Sequence, residues 1–276
     1  MQTAALAGLE KIAEGREAEV FAYGDGRVLR LYRQDYRDAP AAAERQVTVL
    51  RAAAAHGVRV PEVFGTTTVE GRAGIVMERL NGRDAFETIA AQPFRLWSLS
   101  RLCARLQAQL NEQTAPSELP DLRASLRRAI DRDEVPKRFR TAALSRLETI
   151  PDDDCLIHGD FHPGNVMLLA DGEAVIIDWT GARRGVPEAD FARTMLMIRL
   201  GEPAPGMPTL IRFFARFARS VMLRSYEGAY RKARRIDEKL LRACELPVAV
   251  ARLSENIPAE VPKLHKHIER LLARDA

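Results

Sequence analysis

Apolar and polar positions alternate with a short period through the first eighty residues, and that is the signature of strands. Val20–Tyr23 and Val28–Tyr32 are β-rich runs separated by Gly24-Asp25-Gly26-Arg27, a hairpin signal. The period then lengthens: Ala43, Val47, Leu50 and Ala54 recur on one stripe of a helix over Ala41–Ala55, which Gly57 closes. Two further strands, Glu62–Val69 and Ala73–Arg79, flank Glu70-Gly71-Arg72. Helical periodicity takes over in Leu96–Asn111, Leu122–Arg132 and Arg138–Thr149. A β-region returns over 155–179, and helices run from 188 to the end. The expected class is α+β. A β-rich N-terminal lobe, residues 1–80, is joined at Leu80-Asn81-Gly82 to a mainly helical C-terminal lobe, residues 81–276.

The richest chemistry lies in Cys155–Asp190, CLIHGDFHPGNVMLLADGEAVIIDWTGARRGVPEAD. Asn165–Leu169 and Ala174–Trp179 are apolar strands joined across Asp171-Gly172, which reads as a two-residue turn. In that register Ala170 pairs with Glu173, and Asn165 stands opposite Asp178, so that both side chains reach one hard cation. Upstream, His158-Gly159-Asp160-Phe161-His162-Pro163-Gly164 holds a carboxylate outside the metal pair. This arrangement suits phosphoryl transfer. Asp160 would orient a hydroxyl and accept its proton, while Asn165 and Asp178 would hold Mg²⁺ on nucleotide phosphates.

H-G-D-x-x-x-x-N, followed by strands ending I-I-D-W, resembles the aminoglycoside phosphotransferase/choline kinase-like family, relatives of the protein kinases. The resemblance implies a two-lobed protein kinase-like fold with ATP or GTP between the lobes. By the same resemblance Arg30, in VLRLYR, takes the place of the nucleotide lysine, and Glu44 that of its helix partner. Gly15 falls in a reduced nucleotide loop, and Met77, Glu78 and Leu80, in IVMERLNG, fall where adenine docks. Asp190 matches the aspartate that braces the catalytic loop. Without the resemblance, Arg30 is a strand-capping residue, Glu44 a solvent-facing helix residue and Gly15 an ordinary turn glycine. Arg30 is also a departure, since a guanidinium is a planar fork and an ammonium a point charge.

Composition narrows the function classes. With 46% hydrophobic and 29% charged residues in 276, disorder and fibrous repeats are excluded. No apolar stretch approaches a membrane span, and no basic residue precedes the apolar N-terminal patch as in a secretory signal. Three scattered cysteines suggest reduced thiols in the cytoplasm. Of 42 basic residues 36 are arginine, and Lys11 is the only lysine before residue 137. Only eleven residues separate Asp178 from Asp190, too few for a peptide platform, so the expected partner is a small-molecule hydroxyl. No nucleic acid, no membrane insertion, and a monomer or weak dimer complete the expectation.

Four further expectations concern particular segments. Residues 212–242 carry ten Lys/Arg against three acids, which speaks against a polycationic acceptor. Within them Phe213, Phe214, Phe217 and Val221 form an apolar stripe expected to pack into the core. Arg183 and Arg184 read as solvated loop residues. His158 and His162 also raise a metallohydrolase alternative, and Arg30 with its sparse glycine loop raises a nucleotide-binding pseudokinase.

Overall fold

The computed structural model describes residues 6, 8–15, 17–201 and 209–274, with side chains of 209–215 left out. In chain order the elements are β1 (Lys11–Glu14), β2 (Ala18–Ala22), β3 (Arg27–Tyr32), α1 (Ala39–Ala55), β4 (Val63–Val69), β5 (Arg72–Glu78) and β6 (Gly82–Asp84). They continue with α2 (Ala85–Ala91), α3 (Leu96–Leu110), α4 (Leu122–Ile130), α5 (Lys137–Leu147), β7 (Leu156–Ile157), β8 (Val166–Leu169) and β9 (Ala174–Ile176). The last are β10 (Arg183–Arg184), α6 (Pro187–Leu200), α7 (Thr209–Ala233), α8 (Glu238–Leu253) and α9 (Val261–Arg274). The expected α+β class, strands early and helices late, is what the chain forms.

Two compact units result, Met1–Asp84 with Asn165–Thr180, and Ala85–Gly164 with Gly181–Ala276. This differs from a linear division after residue 80, because the β8–β9 hairpin pairs with β6 in a three-stranded sheet and joins the first unit. The Ile176 N–H donates to the Arg59 carbonyl at 3.0 Å. The Arg59 guanidinium forks onto Glu78 at 2.7 and 2.8 Å, and its Nε reaches Glu173 at 2.9 Å. An arginine fork across two strands of distant sequence is invisible to local periodicity.

The main sheet of the first unit is antiparallel in the order β1-β2-β3-β5-β4. Strand alternation splits β3 into two packed faces. Val28 and Tyr32 pack with Ala42, Ala43 and Val47 of α1 and with Ile75 and Met77 of β5. Leu29 and Leu31 pack on the opposite face with Phe21 and Val69. The strand β1, exposed at all four positions, carries no apolar alternation that could have announced it.

The hairpin register is one residue away from the expected one. Val166 pairs with Ile176, Met167 with Val175 and Leu168 with Ala174. Leu169 N–H bonds the Glu173 carbonyl, Gly172 N–H bonds the Leu169 carbonyl, and Asp171 Oδ1 accepts from Glu173 N–H. The loop therefore has one residue more than a two-residue turn, with Gly172 at φ +90° supplying the left-handed position. A slip of one residue exchanges the two faces of a strand. Asn165 consequently faces Ile177, whose N–H donates to its carbonyl at 2.9 Å, and not Asp178.

In the second unit the helices pack on one another, with Tyr226 and Tyr230 of α7 fully buried. Phe217, expected in the core, is 65% exposed, and the packed side of α7 is instead Met222, Tyr226 and Tyr230. Phe213, Phe214 and the Arg212 side chain lie outside the described residues, as does Arg16 of the expected nucleotide loop. Arg183 and Arg184, expected in a loop, form β10 against β7, and Arg184 lies 3.5 Å from Asp154. Among the described residues no helix is long and apolar enough to cross a membrane.

Leu264, His267, Ile268 and Leu271 form the buried stripe of α9. Burial pushes the His267 imidazole down to about 4, and Arg199, Arg270 and Arg274 act in the same direction. A histidine kept neutral in the fold leaves stability complete above its unfolded value of about 6.5. That stability is lost as pH falls towards 4, by about 2–3 kcal/mol. Urea denaturation of His267→Gln is expected to show a flatter dependence between pH 7 and 4.5; an unchanged slope would assign the acid sensitivity to other groups.

Candidate active site

The loop His158–Gly164 has no apolar run with which to shape itself, so other groups must hold it. Asp190, 1% exposed near the start of α6, does most of this. Its Oδ1 accepts from Gly159 N–H at 2.8 Å, and its Oδ2 from His158 N–H at 3.3 Å. Oδ2 also accepts from Gln107 Nε2 at 3.0 Å and Asn111 Nδ2 at 3.2 Å, both on α3. Those amides are oriented in turn: Tyr226 donates to Gln107 Oε1 at 2.7 Å and Tyr230 to Asn111 Oδ1 at 2.8 Å. The buried carboxylate is thus saturated by donors, as a charge out of water has to be.

Gly159 is needed for two reasons. Its φ is +75°, and a Cβ there would stand 2.0 Å from the Gly181 carbonyl oxygen. The loop and the segment after Asp178 cross backbone to backbone at this point.

Asp160 is half-buried, and its Oδ1 accepts from Arg193 Nη2 at 2.9 Å. Burial works to raise its carboxyl, but Arg193, then His162 and His158, outweigh it and hold the group below the usual aspartate value. His158 is buried, with Nδ1 accepting from Asp160 N–H at 3.3 Å, and His162 Nδ1 accepts from Gly164 N–H at 3.0 Å. Both histidines spend a ring nitrogen on their own loop. Among the described residues no three His, Cys, Asp or Glu side chains converge on a metal position, so nothing here supports the metallohydrolase alternative.

The other candidates lie in the first unit. Asp178 adopts φ +58°, a left-handed conformation that Asp tolerates better than most residues, directly after the strand run. Its Oδ1 accepts from Thr180 Oγ1 at 2.9 Å and lies 3.5 Å from Arg30 Nη1. Arg30 also lies 3.9 Å from Glu17, and its guanidinium is 5.7 Å from the Tyr32 ring. The expected Arg30–Glu44 pair is not formed. Glu44 points away from the core of α1, and its carboxylate accepts from Thr66 Oγ1 at 2.8 Å. The carboxylates beside Arg30 are those of Asp178 and Glu17.

Asn165 is buried, with 8% exposure. Together Asn165 and Asp178 offer an amide oxygen and a carboxylate, hard donors of the kind Mg²⁺ takes alongside phosphate oxygens. That donor chemistry fits the ion. Gly15 hydrogen-bonds Ala18 through its N–H, and its carbonyl accepts from Arg33; a Cβ there would meet only ordinary contact. Met77 is buried in the sheet–α1 cluster. Arg59 holds the Glu78 carboxyl below its usual range, and Glu78 N–H donates to the Glu62 carbonyl at 2.8 Å. Leu80 is partly exposed beyond the end of β5.

Sequence reasoning missed Gln107, Asn111, Tyr226, Tyr230, Arg193 and Glu17. A signal existed for the first four, since each pair is spaced i, i+4 and places polar groups on the packed side of an apolar helix. Arg193 follows Asp190 by three residues, one helical turn, and so was bound to fall near the loop that Asp190 holds.

The profile of the family described as "Phosphotransferase enzyme family" matches residues 8–236. Among solved structures, the apo form of a thermostable mutant of aminoglycoside phosphotransferase APH(4)-Ia gives a TM-score of 0.66 at 18% identity, over 97% of this chain and 94% of that one. A ternary complex of such a mutant with AMP-PNP and hygromycin B gives 0.66 at 17%, over 97% and 93%. APH(3'')-Id from Streptomyces rimosus ATCC10970, with ADP and streptomycin, gives 0.59 at 18%, over 89% and 92%. These likenesses show the kinase-like fold. Among curated proteins, none matches the sequence.

Asn111→Ala would strip one donor from Asp190 and from the Leu156 carbonyl and leave the Tyr230 hydroxyl without its acceptor. Chemical denaturation is expected to register a loss of about 3 kcal/mol. A loss under about 1 kcal/mol would mean that water replaces the amide.

Proposed function

The chain belongs to the phosphotransferase enzyme family, and from that premise we propose that it moves the γ-phosphoryl group of ATP or GTP to the hydroxyl of a small molecule. The observation that carries this reading is the Asp160 carboxylate, kept ionised by Arg193 on a loop whose backbone Asp190 fixes. In the proposed reaction the acceptor oxygen forms a bond to the γ-phosphorus as its proton passes to Asp160. The bond from phosphorus to the β–γ bridging oxygen breaks, and the nucleoside diphosphate leaves with that electron pair. Asn165 and Asp178 would hold Mg²⁺, which when bound neutralises phosphate charge. Arg30 would meet the phosphates from β3, with Asp178 and Glu17 the carboxylates beside it. Gly15, Met77, Glu78 and Leu80 remain the proposed nucleotide-side residues, with residues 1–80 as the nucleotide-binding part and 81–276 as the catalytic and substrate-binding part.

The likeness to enzymes whose structures hold hygromycin B or streptomycin supports a hydroxyl-bearing acceptor. A cytoplasmic site is the reading that the free thiols Cys103, Cys155 and Cys244 support. A second reading, a nucleotide-binding protein without transferase activity, is favoured by one observation: the cation on β3 is an arginine engaged with Asp178.

Asp160→Ala is expected to lower kcat on the order of 10²–10⁴-fold, with MgATP still raising the melting temperature. A labelled-ATP transfer screen over aminoglycosides, amino alcohols, sugars and nucleosides supplies the acceptor. Native turnover in Asp160→Ala would overturn the base assignment. Nucleotide binding with no transfer anywhere in the panel would favour the second reading.

A further inference from the structure

Three neighbouring side chains of α6 grip four consecutive residues of the loop. Asp190 takes the amides of His158 and Gly159, and Thr194 Oγ1 donates to the Phe161 carbonyl at 2.7 Å. Arg193 takes the carboxylate of the residue between them, Asp160. The first two hold backbone. Only Arg193 acts on the side chain to which the chemistry is assigned.

Arg193 is itself held from a second direction. The same Nη2 lies 2.9 Å from Glu255 Oε1, just beyond the end of α8. Glu255 Oε2 in turn accepts from Arg252 Nη1 at 2.7 Å, and Arg252 forks onto Glu260 at 2.9 and 3.0 Å. One nitrogen therefore serves two carboxylates, while the buried Arg193 Nε has no hydrogen-bond partner. Arg193 Nη2 is thereby held between the Glu255 and Asp160 carboxylates, so its placement bears directly on where the Asp160 carboxylate stands.

We propose that Arg193 is a positioning residue of the phosphoryl transfer, fixing the orientation of the Asp160 carboxylate, and that Glu255 sets how much of the guanidinium charge reaches Asp160. The proposal rests on the reading of Asp160 as the base. The titratable groups acting on Asp160 include Arg193 from α6 and His158 and His162 from its own loop. Glu255 faces Arg193 and Arg252.

The signs follow from this arrangement. Without Arg193, burial acts on Asp160 with less opposition and its titration moves to higher pH. Without Glu255, the guanidinium is left to Asp160 alone and the titration moves to lower pH. Because Arg193 uses a single nitrogen, a lysine ammonium can reproduce the contact, which a forked pair would not allow.

The test is a ¹³C NMR titration of the Asp160 carboxyl in the full chain, assigned by loss of its signal in Asp160→Asn. It needs no acceptor. The titration is expected higher than native in Arg193→Met, near native in Arg193→Lys and lower in Glu255→Gln. MgATP hydrolysis, with water as acceptor, is measured in the same proteins. Arg193→Met is expected to lose on the order of 10²-fold in kcat with the KM for MgATP unchanged, and Arg193→Lys to recover most of it.

Native titration and native kcat in Arg193→Met would overturn the proposal. If that variant does not fold, Glu255→Gln decides alone: an unmoved or raised titration overturns it. The outcome for Asp160 is separate. Native hydrolysis in Asp160→Asn defeats the base reading, whereas a dead Asp160→Asn beside an unimpaired Arg193→Met defeats only the role of Arg193.

Discussion

A carboxylate with almost no water around it must find donors or lose its charge, and Asp190 resolves that demand by collecting four of them from two places in the chain. Two are backbone amides of a loop that has no shape of its own. The other two are side-chain amides of α3, each turned the right way by a tyrosine of α7. The bonds that satisfy the buried carboxylate are thus the same bonds that hold the loop. The position of Asp160 follows, because its neighbours on both sides are tied to α6.

Electrostatics around Arg30 follows a different logic. There the charges are partly exposed, and pairs at 3.5 and 3.9 Å around Arg30 contribute little to stability. Such loosely held groups exchange partners at low cost when an anion or a cation arrives. Asp160 differs from them in being engaged at 2.9 Å by Arg193, on a loop whose backbone amides are tied to α6.

Much of this was legible in the residues. Strands β2 to β5, α1 and the early helices fall within a few residues of their expected limits, because their periodicities are local. Asp160, Asn165 and Asp178 stood out through the spacing of H-G-D-x-x-x-x-N and I-I-D-W and not through periodicity. What escaped was set by longer range or by single dihedral angles. The hairpin register turned on Gly172 adopting φ +90° in a loop one residue longer than expected, and no count of apolar positions reveals that. Arg30 lies beside Asp178 and Glu17 and not Glu44, because α1 presents Glu44 towards Thr66 on β4. Phe217 looked like core in an amphipathic stripe, but the tyrosines further along α7 bury the opposite choice of face.

The paired spacing of Gln107 and Asn111 on α3 with Tyr226 and Tyr230 on α7 has a consequence for how this sequence can change over time. Both hydrogen bonds bridge the same separation of 119 residues, so the two helices mesh like a key with two teeth. Advancing either helix by one residue turns it by about 100° and pulls both teeth at once. Substitutions on the exposed sides of these helices can accumulate one by one. Insertions and deletions cannot be absorbed between the paired teeth, and drift in length is confined to the connections outside them.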